Sequence, residues 1–552
     1  MCGKCGKVDR TKKYVIFLLI LLLGLSVMGC GRDAKEEGQE MNLTICLSSE
    51  PGSLDPVKSI FVDEAIMLNH LFEGLTKWTD DGQGASVLVG GMAESWQVGE
   101  GGKEYVFHLR KDAKWSDGRP VTASDFVYGW KRLADSSVGS EHTYMFDMIQ
   151  GWGQARKGEI KFSKTGVKAV DDHTLRVSLT YDCPFFLELC ATPPAFPVRK
   201  DIIDKYGDQW SFKAESYICN GSYTLKSWVH NAYIQTKAND YYYDREHLGP
   251  DGIKFILMDD DDAKLMAFDK KEIDFILNPP AGKGKALNEG KNDEGLENLG
   301  TQFLYFNTQK APFNDPRVRE AFSLAIDRGQ VLKEGGKGAV AADAYVPTGM
   351  PDLTEDSDFR RTGGSFYATD LRKYLEDCNR ARELLAAAGY PEGLDFMPIE
   401  YICDRSEGHE NIGKALRDMW GRELGISVSI SSMERNRFHQ ARKSGDYEIA
   451  YGEYLAGYKD PLPLMEPWLS HVSRNNSGYS NVRYDELIEQ VRTTDDPAMR
   501  IPLLHEAEEI LISKDHVLAP LLFYSPTYMK ASSLKGVYNN IAGYFFFDRA
   551  VK

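Results

Sequence analysis

Polar and apolar residues alternate in "EYVFHLR" (104–110), which puts Tyr105, Phe107 and Leu109 on one face at a period of two. "DHTLRVSLT" (172–180) repeats the pattern with Leu175, Val177 and Leu179, so both stretches predict half-buried strands. A helical period takes over after Asp315-Pro316, an N-cap and first-turn pair followed by Val318, Phe322, Ala325 and Ile326. "NRARELLAAAGYPEG" stacks Ala381, Leu384, Leu385 and Ala388 and stops at Gly389, with Pro391 just beyond. "NIGKALRDMWGRELGISVSI" runs from a helix through a Gly425 cap into the alternation of Ile426, Val428 and Ile430. That αβ unit predicts helices on a mixed sheet in the later half of the chain. The acidic run "MDDDDAKLMAFDKKEIDF" (258–275) reads as a helix whose first-turn carboxylates favour the dipole, with Leu265, Met266 and Phe268 as its apolar face, rather than as a metal site. "AGKGKALNEGKNDEG" (281–295) lacks the residue order of a phosphate loop and reads as an exposed loop.

One apolar run is of another kind. Lys4, Lys7, Arg10, Lys12 and Lys13 precede "YVIFLLILLLGLSVMG" (14–29), which ends at Cys30. "LSVMGC" resembles a lipobox, with small Gly29 before the cysteine and apolar Val27 two residues earlier. The resemblance implies a signal peptide over 1–29, diacylglycerol on Cys30, and stable anchoring by more than one acyl chain. The polar stretch 30–40 would be the tether. The other reading is an uncleaved spanning helix, although the run is just short of a comfortable span. "MCGKCG" falls in the discarded segment, leaving Cys46, Cys183, Cys190, Cys219, Cys378 and Cys403 beyond Cys30. Their wide scatter is no disulfide framework, and it leaves room for one or two bridges that the sequence cannot pair.

Removing residues 1–29 takes five basic residues and Asp9 with it, moving the formal charge from −16 to about −20. An acidic surface disfavours nucleic acid and anionic lipid as partners. No H-E-x-x-H zinc pair, G-x-S-x-G elbow, dinucleotide fingerprint or S-x-x-K motif occurs, and the eleven histidines form no pair at ligand spacing on one helix. No metal or cofactor is expected, and the chain reads as a binding protein rather than an enzyme. Its tyrosines and tryptophans supply stiff contact area with a polar end.

"GMAESWQVGEGGKEYVFHLRKDAKWSDGRPVTASDFVYGWKR" (91–132) resembles the signature region of the family 5 extracellular solute-binding proteins, the peptide-binding components of ABC importers. "SEPGSLDPVKS", "LFEGLTKW", "GVKAVDDHTLRVSL", "CNGSYTLKSWV", "YFNTQKAPFNDPRVREAFSLAIDR" and "NNSGYSNVRYDELI" follow the family's order, so the resemblance covers nearly all of 42–550. It implies an α/β, bilobal, periplasmic-binding-protein-like fold of type II, in its large form with an extra subdomain and a ligand cleft between the lobes. By analogy the first lobe takes 41–72, 197–298 and 523–552, the extra subdomain 73–196 and the second lobe 299–522. An extended oligopeptide would pair its backbone with two short strands, one at Phe61 and Val62 and one at Glu453, Tyr454 and Leu455.

Within "YGEYLAGYKDPLP" (451–463) the chain departs from the family pattern G-W-x-A-D-Y. Gly457 replaces the aspartate that pairs with the peptide's α-ammonium, Glu453 replaces a glycine, and Tyr454 replaces the tryptophan. His142 stands for a tyrosine while Tyr144 is retained, and Asn69 and Tyr451 occupy positions where members can have arginines. Three explanations compete: Glu453 supplies the missing carboxylate, the ligand lacks a free amine, or the cleft takes another peptide-like or non-peptide molecule. Asp460, before Pro461, reads as a cap. The implied partners are a peptide or peptide-like ligand, ABC permease subunits and the membrane through the lipid anchor, with the protein a monomer. An exported hydrolase, or a signalling or adhesion lipoprotein on the same scaffold, is the rival reading.

Overall fold

Both alternating segments become strands of one four-stranded antiparallel sheet, ordered Ala93–Val98, Glu104–Leu109, Thr174–Ser178, Val167–Asp171. Tyr105, Phe107, Leu109, Leu175, Val177 and Leu179 are all buried, as the period of two requires. The structure, a computed structural model, describes residues 40–552 apart from 49, 83–85, 281–282, 284, 287–299, 335–338, 355–356, 495, 525 and 541. The expected signal peptide 1–29, the lipidated Cys30, nearly all of the tether and most of the glycine-rich loop 281–295 lie outside the described residues. Asn42–Lys552 form one compact unit.

The helices start where their caps stand. The Asp315 carboxylate accepts the Arg317 amide at 2.9 Å and opens Pro316–Leu324, whose Val318 and Phe322 are buried. Glu407–Leu424 ends at Gly425, which has a φ of 71°. That left-handed conformation costs glycine little, and it turns the chain directly into the strand Val428–Met433. This strand lies parallel to Ile399–Asp404, which closes the predicted αβ unit.

Two larger mixed sheets organise the molecule. The first has seven strands, ordered Lys285–Ala286, Thr527–Lys530, Phe275–Leu277, Asn42–Leu47, Gly252–Leu257, Tyr233–Ala238, Tyr223–Val229. The second has six, ordered Val340–Ala341, Leu518–Tyr524, Gly300–Phe306, Ile449–Leu455, Ile399–Asp404, Val428–Met433. The chain leaves the second sheet at Tyr524 and joins the first at Thr527. One continuous core joins the seven-stranded and four-stranded sheets through residues such as Ile45, Phe255, Phe107 and Val177. A second core gathers around the six-stranded sheet. Two cores on separate sheets make the protein bilobal. Each also takes an aromatic from the other side, since Tyr144 belongs to the second core and Tyr458 to the first.

Two expectations change. The acidic run does form a helix, Asp261–Asp269, capped by the Asp260 carboxylate on the Ala263 amide at 2.7 Å. Its packed face is Ala267 and Phe268 with the Lys264 stem, while Met266 is exposed because it lies on the opposite side of the turn. The cysteines make no bridge: all six described ones are free and buried. No described helix is long and apolar enough to cross a membrane.

Candidate ligand cleft

The strand Ile449–Leu455 pairs along its whole length with Gly300–Phe306. On its other edge it pairs with Ile399–Asp404 only at Ile449 and Ala450. From Tyr451 to Leu455 no strand among the described residues lies beside that edge. Here the lobes enclose a cavity of about 750 Å³, within the usual range for ligand clefts. An unpaired strand edge bordering such a cavity can accept an added strand by backbone hydrogen bonds.

Phe61, Val62, His142, Tyr144, Tyr451, Glu453, Tyr454, Leu455 and Gly457 all line this cavity. Asn69 does not: its amide donates to the Ala65 carbonyl one helical turn back, at 2.7 Å, and it borders a separate, much smaller cavity. Phe61 and Val62 form no strand. Phe61 is the extended N-cap of the helix Val62–Leu71, and its own amide and that of Ile60 are taken by Glu64 Oε2 at 3.2 and 2.7 Å. Helix initiation uses the backbone groups that strand pairing would need.

Successive side chains of the cleft strand face opposite ways. On one face the Tyr451 hydroxyl donates to Glu453 Oε2 at 3.2 Å, and Tyr524 lies close to the same carboxylate. On the other, the Tyr454 ring packs against Phe303 and Trp468, with the Arg474 guanidinium 5.2 Å above its centre. Tyr454 is therefore both core and wall: its hydroxyl accepts from Tyr305 at 2.9 Å and donates to the Arg474 carbonyl at 3.4 Å. Gly457 is exposed, and a Cβ placed there would meet nothing within 4 Å. Asp460 caps the Leu462 amide at 2.8 Å and holds Arg500 through two bonds of 2.7 and 2.8 Å.

Contacts that only folding could assemble complete the cleft. Arg435 reaches across to Asp63 at 2.8 Å and lies over the Phe61 ring at 4.2 Å. Glu141 is bonded by His439 Nε2 at 3.1 Å and Lys443 Nζ at 2.7 Å, both from the helix Arg435–Ser444 on the opposite lobe. Phe185 and Tyr458 stack at 4.0 Å across the same divide. His409, stacked on Tyr451 at 3.8 Å, lies 2.5 Å from the Asp404 carboxylate. None of Arg435, Asp404, His409 or Arg474 carried a signal in the sequence, because each sits in an ordinary polar stretch that long-range packing brings to the cleft.

Two of the cleft histidines are tuned in opposite directions. Burial works against charging His409, but the Asp404 carboxylate outweighs it and raises the imidazole above its ordinary value. His142 Nε2 lies 2.6 Å from the Ser59 carbonyl, which only accepts, so that nitrogen carries the proton. Burial, reinforced by the charge of Arg474, lowers His142 from 6.5 to about 4. Between those two values the unfolded chain takes up a proton that the folded protein refuses, so stability falls as pH drops from 6.5 towards 4. The loss expected from this group is about 3 kcal/mol. Melting His142→Gln beside the parent from pH 4 to 7 checks it: the variant should lose less on acidification, and parallel curves would contradict the assignment. Both proteins retain His409, so its opposite contribution cancels in the difference.

A bilobal α/β fold closed over a cavity between its lobes defines a type II periplasmic solute-binding architecture. Residues 87–476 match the middle region of the bacterial extracellular solute-binding proteins of family 5, and the chain belongs to that family. It is 30% identical over 548 residues to the dipeptide-binding protein DppE of Bacillus subtilis, covering 97% of this chain and 98% of that one. Haemophilus influenzae OppA, solved in complex with the peptide RPPGFSPFR, superposes with a TM-score of 0.83 at 26% identity over 93% of this chain and 99% of OppA. The Escherichia coli murein tripeptide binding protein MppA gives 0.82 at 28% identity, over 93% and 98% of the two chains. The unliganded open form of MppA gives only 0.58, at 29% identity over 93% and 96%. The lobes of this protein therefore stand in a different relation from those of that open form, consistent with the direct contacts across the cleft.

Proposed function

We propose that the protein is the substrate-binding component of an ABC importer, capturing an extended peptide-like ligand between its lobes and delivering it to the permease without altering it chemically. The observation that carries this reading is the unpaired edge of the cleft strand, Tyr451–Leu455, against an enclosed cavity. Such an edge supplies affinity through the ligand backbone, and the surrounding space tolerates varied side chains. The relatives' names, dipeptide-binding and oligopeptide-binding, support the same class of ligand.

In this reading 41–72, 197–298 and 523–552 form the first lobe, 73–196 its extra subdomain and 299–522 the second lobe. Residues 1–29 direct export, and lipid on Cys30 holds a monomer at the outer face of the cell membrane by the tether 30–40. Glu453, carried on the cleft strand and hydrogen-bonded by the Tyr451 hydroxyl, supplies the carboxylate absent at Gly457. A second reading rests on Gly457 itself: with no carboxylate there, the ligand is N-terminally blocked or not a peptide. Native mass spectrometry of the purified protein, with ligands released and identified, separates the cases. An intact peptide with a free amine is expected. A blocked or non-peptide molecule would favour the second reading, and a cleaved product would point to an exported hydrolase.

A further inference from the structure

Several arginines line the cleft, and most are engaged. Arg435 pairs with Asp63, Arg492 with Glu466, Arg500 with Asp460, and Arg442 donates to the Tyr451 carbonyl. The guanidinium of Arg474 has no hydrogen-bond partner among the described residues. It lies over the Tyr454 ring, within electrostatic reach of Tyr144 and Glu141. Glu141 lies within its field but is hydrogen-bonded to His439 and Lys443 rather than to Arg474. The Arg474 N–H donors are therefore left to solvent or to a ligand group.

The position is also rigid. Asn475, next in the chain, donates to the carbonyls of Trp468, Leu469 and Tyr479 at 3.3, 3.2 and 2.7 Å, and the Tyr447 hydroxyl holds the Asn476 carbonyl at 2.8 Å. Two further donors border the cavity beside it. Tyr144 is only 6% exposed, yet its hydroxyl is unpartnered among the described residues. The Asn476 side-chain amide is likewise unengaged among them, and Asn476 also lines the cavity. A fixed guanidinium, a buried hydroxyl and an amide on one wall form a donor set for an anion.

We propose that Arg474, with the Tyr144 hydroxyl and the Asn476 amide, forms a carboxylate subsite on the Tyr454 face of the cleft strand, so that the ligand carries an acidic group there. This rests on the reading of an added peptide strand and narrows it. Residues of such a strand point alternately to its two faces, so the acidic group falls on the side away from Glu453. That carboxylate belongs either to an acidic side chain or to the peptide's own C-terminus.

The test is calorimetry on the parent, Arg474→Gln and Arg474→Lys with Ala-Ala-Ala as free acid and as amide, and with three amidated tripeptides carrying one Glu at each position in turn. Losing a charge-assisted bond predicts that Arg474→Gln weakens the acidic ligands about ten- to hundredfold, with partial recovery in Arg474→Lys. The neutral amide should bind all three proteins alike. A loss confined to one Glu-bearing amide assigns an acidic side chain, and a loss confined to the free acid assigns the C-terminus. Equal affinities throughout, or an equal loss for the neutral amide, overturn the subsite. Melting without ligand separates out a structural role: the guanidinium makes no hydrogen bond among the described residues, so the midpoint of Arg474→Gln should stay close to the parent's, and a large fall would count against the proposal. If no peptide binds the parent, millimolar glutarate replaces the peptides in a thermal-shift assay. A shift lost in Arg474→Gln then keeps the subsite and discards the peptide reading, whereas no shift, or an equal one, discards the subsite as well.

Discussion

In a Glu453→Gln background, Gly457→Asp is expected to tighten binding of a tripeptide with a free amino terminus by about ten- to hundredfold, and to leave its N-acetylated counterpart unchanged. The site is prepared for the side chain. A Cβ at Gly457 meets nothing within 4 Å, and its φ lies outside the left-handed range that only glycine adopts freely. The gain measures how completely the protein already compensates the ligand's ammonium. Where Glu453 holds that ammonium, a second carboxylate adds little, so the effect should be smallest in the parent background and full in Glu453→Gln. The double-mutant cycle of Gly457→Asp and Glu453→Gln reads this coupling directly by calorimetry with the free and acetylated peptides. Free and acetylated peptides bound equally by all four proteins would mean that no amine is recognised in this cleft, and would favour the blocked or non-peptide ligand.

What the sequence could reveal follows the range of the forces involved. Period-two segments such as 104–110 and capped helices such as Asp315-Pro316 are fixed by neighbours a few residues away, and they form where the pattern places them. The cleft strand is a harder case. "YGEYLAGY" marks a strand by composition, but that its edge from Tyr451 to Leu455 is open depends on how Ile399–Asp404 diverges from it, which is a property of the whole sheet. Phe61 lines the cavity but forms no strand, for a local reason: Glu64, three residues on, captures its amide and starts a helix, a capping pattern with no Ser or Thr to announce it. Asn69 sits two turns into that helix, where its amide turns back to Ala65 instead of reaching the cavity. Arg474 and His409 carry no signal because the rings they lie against, Tyr454 and Tyr451, belong to another segment that only folding brings beside them. The same is true of the cysteines, whose spacing says nothing about pairing and whose burial leaves all six described ones as free thiols.

Glu141→Ala is expected to weaken every ligand by a similar factor, about ten- to hundredfold, without altering which ligands are preferred. Glu141 touches the opposite lobe rather than recognising any one ligand group. Its carboxylate is 5% exposed and takes His439 and Lys443 from the far helix, so the bonds exist only while the lobes are together. Truncation leaves two donors facing a gap in the closed form, whereas in an open form water solvates all three groups with or without the glutamate. The penalty therefore falls on closure, and affinity drops by the fraction of closed protein lost. Melting without ligand should change little, which distinguishes this from unfolding, and small-angle scattering at saturating ligand should report a larger mean radius. The pH dependence carries the same sign. Burial tends to raise the Glu141 carboxyl, but its bonds to His439 and Lys443 and the charge of Arg474 outweigh that and hold it well below the ordinary 4.5. Its contribution is thus complete above 4.5 and lost as pH falls through the lowered value, so closure should weaken only in acid. A Glu141→Ala protein that binds as tightly as the parent at neutral pH would show that the latch contributes nothing, leaving the Arg435 bond to Asp63 and the stack of Phe185 on Tyr458 to hold the lobes together.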